Sequence, residues 1–183
     1  MKTYLTFPSL LVMILFAFSC AKPSHDIDKT EEESQAEGQS SVQDDESQKN
    51  IVQAAIGSPD HKTLVAALKA ADYVNALSNA GPFTVFAPTD EAFAKLPEGT
   101  VENLTKPENK LKLQNILEYH VYVGVIRESM IQDSMNLNQV NGKNVSVTKK
   151  GGKLQVNGAD ILATVQTSNG IIYVIDTVLL PAE

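Results

Sequence analysis

Apolar positions recur at helical spacing early in residues 50–181 and at alternating spacing in the last third. Asn50 to Ile56 predicts a short helix, closed by Gly57-Ser58-Pro59. Thr63 to Ala71 predicts a second, with Leu64, Ala67, Leu68 and Ala71 on one face. Tyr73 to Ser78 is a third, ended by Asn79-Ala80-Gly81-Pro82. Gly99 to Leu104 adds a turn of helix, and Pro107 opens a longer one in which Leu113, Ile116, Leu117 and His120 share a face. Then the period changes. Asn141-Gly142 reads as a two-residue hairpin turn between 137–140 and 143–148. Leu154 and Val156 alternate with polar residues, Asn157-Gly158 turns the chain again, and a strand over 161–165 follows. Helices first and strands later predict an α+β domain, not a parallel doubly wound sheet.

Two segments depart from simple periodicity. Phe83 to Ala87 is a short β-branched and aromatic run, the pattern of a buried strand, and Pro88 stops it because proline cannot donate to a ladder. Thr89 or Asp90 can then cap a helix, with Asp90 and Glu91 at its positive end and Ala92, Phe93 and Leu96 facing inward. The second segment opens on Ser168-Asn169-Gly170, a turn signal. Ile171 to Ile175 is apolar on both faces, so it predicts a central strand covered on both sides. Asp176 ends that run and needs hydrogen-bond partners there, from Thr177 or backbone amides.

Charge divides the chain of 183 residues in two. Residues 21–49 hold nine acids and three lysines, whereas 50–183 hold thirteen acids and eleven bases. The formal net charge of −7 is therefore mostly a property of the leading segment. That segment has only Ile27 and Val42 as large apolar groups, too few to order it, and reads as a solvated tether with a mean reach of roughly 30 Å. No basic stripe is present to neutralise phosphates, which excludes nucleic acid as an expected partner. Leu10 to Phe18 is a run of nine apolar residues behind Lys2, short for a bilayer span and right for a signal peptide. Cys20, the single cysteine, follows it directly. The arrangement resembles a bacterial lipoprotein signal: residues 1–19 removed, Cys20 lipidated, 20–49 a tether, and 50–183 the folded domain. Two or more acyl chains would hold such a protein on a membrane without a transmembrane helix.

Chemistry-bearing residues are sparse. His25, His61 and His120 lack metal-ligand spacing, and Asp60-His61 reads as a solvated loop pair. No phosphate loop, dinucleotide fingerprint or nucleophile motif is present, so no catalytic, metal or cofactor residue is nominated. Lys149, Lys150 and Lys153 read as a solvated hairpin tip.

Together the two signature segments resemble those of the fasciclin domain family. Tyr119-His120, Val156-Asn157-Gly158-Ala159 and Gly170 to Pro181 match in the same order, and the likeness covers nearly all of 50–181. It implies one compact domain with helices packed on a wedge of β-sheets. The family signature positions are Thr84, Phe86, Pro88, Thr89, Asp90, Phe93, Asn169, Gly170 and Asp176, with structural roles. Family members act in cell–cell and cell–matrix adhesion, and no enzymatic activity or cofactor defines them. The resemblance therefore implies a non-enzymatic, lipid-anchored module of the bacterial envelope, facing the periplasm or the outside, whose partners are surface or matrix proteins or glycans. Tyr119-His120 matches a Tyr-His motif implicated in integrin binding in animal members; the alternative is a corner that holds a helix against a strand. The adhesive Asp-Ile pair of some animal members falls on Thr164-Val165 here, while Asp160-Ile161 lies four residues earlier, so that site is not carried over. A second reading stays open: an envelope small-molecule sensor with a pocket between sheet and helices.

Overall fold

A computed structural model describes residues 48–132 and 134–181, so the proposed signal and most of the tether lie outside the described residues. Among these, no helix is long and apolar enough to cross a membrane. Helices α1 (Ile51–Ile56), α2 (Lys62–Ala70) and α3 (Val74–Ser78) come first. Strand β1 (Phe83–Pro88), α4 (Asp90–Ala94), α5 (Thr100–Leu104) and α6 (Lys110–Tyr119) follow. Then β2 (Val121–Val123), β3 (Ser134–Asn138), β4 (Asn144–Lys150), β5 (Lys153–Val156), β6 (Ala159–Thr167) and β7 (Gly170–Ile175) complete the fold. The class is α+β, as the change of period predicts.

Local chemistry sets the helix ends. Asn50 accepts from the Gln53 backbone amide at 2.8 Å while the Gln53 side chain accepts from Asn50 N, a reciprocal capping box. Pro107 opens a 3-10 turn (Pro107–Asn109), and the α-helical part of that segment begins only at Lys110. The buried stripe of α6 is Leu113, Ile116 and Leu117, the face read from the sequence.

The strands form one seven-stranded sheet in the order β2-β1-β7-β6-β5-β4-β3. From β3 to β7 each strand is antiparallel to the next, a meander. β1 then joins β7 in parallel, Phe83 opposite Gly170 and Pro88 opposite Ile175. The two signature segments are thus neighbours in space. The parallel pair arises because β7 enters the sheet beside a strand laid down about ninety residues earlier, with helices and the whole meander between them. Asn157-Gly158 makes the tight turn expected of it, both residues at positive φ.

The expected hairpin at Asn141-Gly142 differs in detail. The ladder stops at the Asn138–Asn144 pair, and Gln139 N donates to Lys143 O inside a longer connection. The reason is a competing bond: Val140 N donates to Val121 O of β2, which draws residues 139–140 out of the ladder.

Two apolar layers cover the sheet. Ile171, Tyr173 and Ile175 of β7 pack with Phe86, Val145, Val147 and Val156 on the inside of the bent sheet. Ile172 of β7 packs with Val85, Ala87 and the inner faces of α1, α2 and α6. β7 is therefore buried on both faces, as its continuous apolar run requires. Each such side chain contributes about 1.5–3 kcal/mol of transfer free energy, and these layers are the main source of stability.

Candidate functional site

The signature residues gather around β1 and β7, and Thr84, Asp90, Asn169 and Asp176 use their side chains to bond backbone from distant parts of the chain. Asn169 sits in the turn between β6 and β7. Its Oδ1 accepts from Ile51 N at 2.9 Å, and its Nδ2 donates to Leu77 O and Asn79 O, both at 2.8 Å. Its own carbonyl accepts from Phe83 N. One amide side chain therefore joins the start of α1, the end of α3 and the start of β1. Gly170 beside it has no room for a side chain, because a Cβ there would lie 2.1 Å from Phe83 O. Gly81, on the facing segment, is as tight against Asn169 O, at 1.9 Å.

Thr84 is fully buried. Its Oγ1 donates to Gly124 O at 2.7 Å and accepts from Ile126 N at 3.0 Å, pinning β1 to the segment after β2. Phe86 stacks on Tyr173, ring centroids 5.9 Å apart, and Tyr173 Oη donates to Ile126 O. Burial, followed by the field of Glu128, pushes the Tyr173 hydroxyl up to about 12, so it stays a donor.

Pro88 ends β1 and Thr89 caps α4, its hydroxyl accepting from Ala92 N at 3.2 Å. Asp90 acts elsewhere. Its carboxylate accepts from Thr63 N at 2.8 Å and Lys62 N at 3.3 Å, so it caps α2, whose own N-cap residue His61 makes no side-chain cap. Burial alone would raise the Asp90 pKa, but these bonds, joined by the nearby His61, hold it below the ordinary carboxylate range. Phe93 lies half-buried against the helical layer.

Asp176 follows β7. It accepts from Asp160 N at 2.9 Å and from the Thr177 hydroxyl at 3.1 Å, and it pairs with Lys95 at 3.0 Å. Burial pulls its pKa upward, and the hydrogen bond from Lys95 leads the contacts that bring it below the usual value. The acid thus ties β7 to the β5–β6 turn region and to the end of α4.

Tyr119 and His120 stand at the junction of α6 and β2. Tyr119 Oη donates to Asn144 O at 3.0 Å and accepts from Asn157 Nδ2 at 2.9 Å. His120 is 4% exposed. Its Nδ1 lies 2.8 Å from Ile116 O, and its Nε2 lies 3.0 Å from Leu179 N. A carbonyl can only accept and an amide can only donate, so the ring is neutral with its proton on Nδ1. Burial lowers its pKa to about 4. The imidazole bridges the last turn of α6 to the segment after β7 and presents no free nitrogen to a ligand.

His61 corrects a sequence expectation. It is buried, not solvated, and its Nδ1 lies 2.8 Å from Ser58 Oγ. Its Nε2 makes no hydrogen bond of good geometry, although the Ala87 carbonyl is close enough to oppose the fall in pKa that burial causes. Asp90 draws the start of α2 against β1, and His61 is carried inside with it. Nothing near His61 in the sequence signals this, since the Thr63 amide is capped from twenty-seven residues away.

Among the described residues, an apolar space of about 20 Å³ lies between sheet and helices, lined by Leu68, Phe86, Leu117 and His120 among others. That admits one water, not a metabolite. Larger spaces are open surface grooves. One runs past Gln166, Ser168, Asn169 and Arg127, and another lies in the fork where β5 and β6 part, beside Glu128, Asp160 and Leu162. Among the described residues no cluster of His, Cys, Asp and Glu could hold a metal ion. Arg127 and the outer edge of β6 were not singled out in the sequence; the one available signal is that Arg127 is the only arginine in the chain. Cys20 lies outside the described residues.

Residues 59–181 match the family model described as "Fasciclin domain". Among known proteins, the chain is 53% identical over 132 residues to Protein sll1483 of Synechocystis sp., covering 72% of this chain and 73% of that one. It is 40% identical over 136 residues to the cell surface glycolipoprotein MPB83 of Mycobacterium bovis, covering 72% and 60%. The fold is similar to that of a FAS1 domain pair from the insect cell adhesion molecule Fasciclin I, with a TM-score of 0.65 at 20% identity. That match covers 73% of this chain and 51% of the pair. With the two signature segments side by side in a fold of this kind and the family match running over 59–181, the chain belongs to the fasciclin domain family.

Proposed function

We propose that this chain is a lipid-anchored interaction module of the bacterial cell envelope. Cys20 carries the lipid, residues 21–49 hold the domain clear of the membrane, and the domain binds surface or matrix proteins or glycans through its exterior. The observation that carries this reading is the use made of the polar signature. Asn169, Thr84, Asp90, Asp176, Tyr119 and His120 are all engaged with the fold, and the interior space is about 20 Å³. A partner is left with the outer surface. The mycobacterial relative named a cell surface glycolipoprotein and the likeness to an adhesion molecule support an envelope location and a binding role. Weak single contacts gain from many anchored copies on one surface. The same features favour a non-enzymatic role: His120, the one histidine of the signature, has both nitrogens engaged.

Two measurements test this together. Fatty-acid labelling in bacteria should mark the wild-type chain and not Cys20→Ser. A screen of the purified, folded chain against envelope glycans, matrix proteins and its own cells should give saturable binding. Absence of both labelling and binding, with circular dichroism showing a folded domain, would overturn the proposal.

A further inference from the structure

Strand β6 has a free edge. It pairs with β5 only at Ala159 and Asp160, then leaves it, while its other side stays on β7 as far as Thr167. From residue 161 to 167 no described residue pairs with its outer side. Residues 162–166 are all exposed, with Leu162 at 59% and Val165 at 41%. The stretch Leu162-Ala163-Thr164-Val165-Gln166 carries no charge, no proline and no glycine. Such an edge is a template for another strand. The remaining outer edges serve less well. β2 is three residues long with Val121 O already taken by Val140 N, and β3 presents serine and asparagine, which pair poorly in strands.

The edge is complementary to itself. Thr167 and Gly170 close a two-residue turn, which makes them a hydrogen-bonded pair, and the alternation from there turns the backbone groups of Thr164 and Gln166 outward. An antiparallel copy centred on Thr164 would bond through those groups. It would set Ala163 opposite Val165 about Thr164, with no like charges facing, over the regular stretch that begins after the bulge at Leu162. The flanking charges agree. Arg127 lines the groove at the 166–171 end of the edge and Glu128 the groove at the 160–164 end. Neither side chain makes an ion pair among the described residues. A two-fold axis at Thr164 would set the end of the edge that Arg127 lines over the end that Glu128 lines in the other copy, a charge-complementary arrangement.

We propose that two copies of this chain associate through antiparallel pairing of their β6 edges, fixed in register by reciprocal Arg127–Glu128 contacts. The interface is isologous. It does not depend on which protein or glycan the domain binds.

Sedimentation equilibrium of the full chain in mild detergent tests it. Wild type is expected to dimerise. Val165→Lys, an exposed position, should weaken dimerisation at least about tenfold, as two lysines face an apolar edge. Arg127→Glu and Glu128→Arg should each weaken it, and the double reversal should restore it. In a Cys20→Ser background, Ala163→Cys chains mixed with Val165→Cys chains should form a disulfide-linked heterodimer, while neither variant alone should. A wild-type monomer at all accessible concentrations overturns the proposal. So does a dimer indifferent to Val165→Lys and charge reversal, or protection of β6 amides only by some other polypeptide.

Discussion

Replacing His120 with glutamine should remove a pH dependence from stability. In the fold the ring is neutral, and burial holds its pKa at about 4 against an ordinary 6.5. Above pH 6.5 the group is uncharged in both the folded and the unfolded chain, and its contribution is complete. As pH falls from 6.5 to 4 the unfolded chain takes up a proton that the folded chain cannot, so stability is lost. Below about 4 both forms are protonated and this loss stops. At ~1.4 kcal/mol per tenfold change, the gap corresponds to about 3 kcal/mol. The bonds to Ile116 O and Leu179 N are the reason the fold keeps the ring. The assay is urea unfolding of wild type and His120→Gln at half-unit steps from pH 4 to 7.5. Glutamine should lower stability at pH 7 by ~2 kcal/mol, since it cannot meet both backbone groups as the ring does. Its stability should also fall less steeply with acid. His61, whose pKa is also lowered, leaves a residual slope in both proteins. An equal slope in wild type and variant would show that His120 is not the source of this pH dependence. Chemical shifts of the His120 ring that titrate near 6.5 would do the same.

Other positions give independent checks. Asn169→Ala removes the bond accepted from Ile51 N, a long one from Thr167 Oγ1 and two donor bonds, and should cost about 3 kcal/mol by urea unfolding, with the start of α1 showing the largest rise in amide exchange. Gly170→Ala forces β1 and β7 apart, since its Cβ would meet Phe83 O at 2.1 Å, and should yield little folded protein. Asp90→Ala should cost ~1 kcal/mol and loosen α2 instead of α4, a distinction that amide exchange reads directly. Asp176 has a lowered pKa and supports the fold above its ordinary range. Its contribution should vanish as pH drops through the folded value, and Asp176→Asn should flatten stability in that acid range only.

Much of the fold was legible because it is local. The stripe on α6, the two-sided apolar run of β7 and the Asn157-Gly158 turn follow from spacing and from which residues tolerate positive φ. What the sequence hid is long-range. Asp90 reads as the first residue of a helix, and nothing nearby reveals that it caps another one. His61 reads as a loop residue because the element that buries it is defined only once β1 is in place. The connection after β3 lengthens because Val140 finds a partner on β2. The free edge of β6 was invisible for a related reason. Alternation marks a strand, but it does not say where a neighbouring strand leaves.

In the proposed function the signature maintains the domain and binding occurs on its exterior. The most direct test measures melting temperature and affinity for the organism's own cell surface in parallel, for wild type, His120→Gln and Asn169→Ala. Lower melting temperatures with unchanged affinity below the transition are expected for both variants. Unchanged melting with lost binding in either variant would contradict it, and would place the binding site at the signature itself.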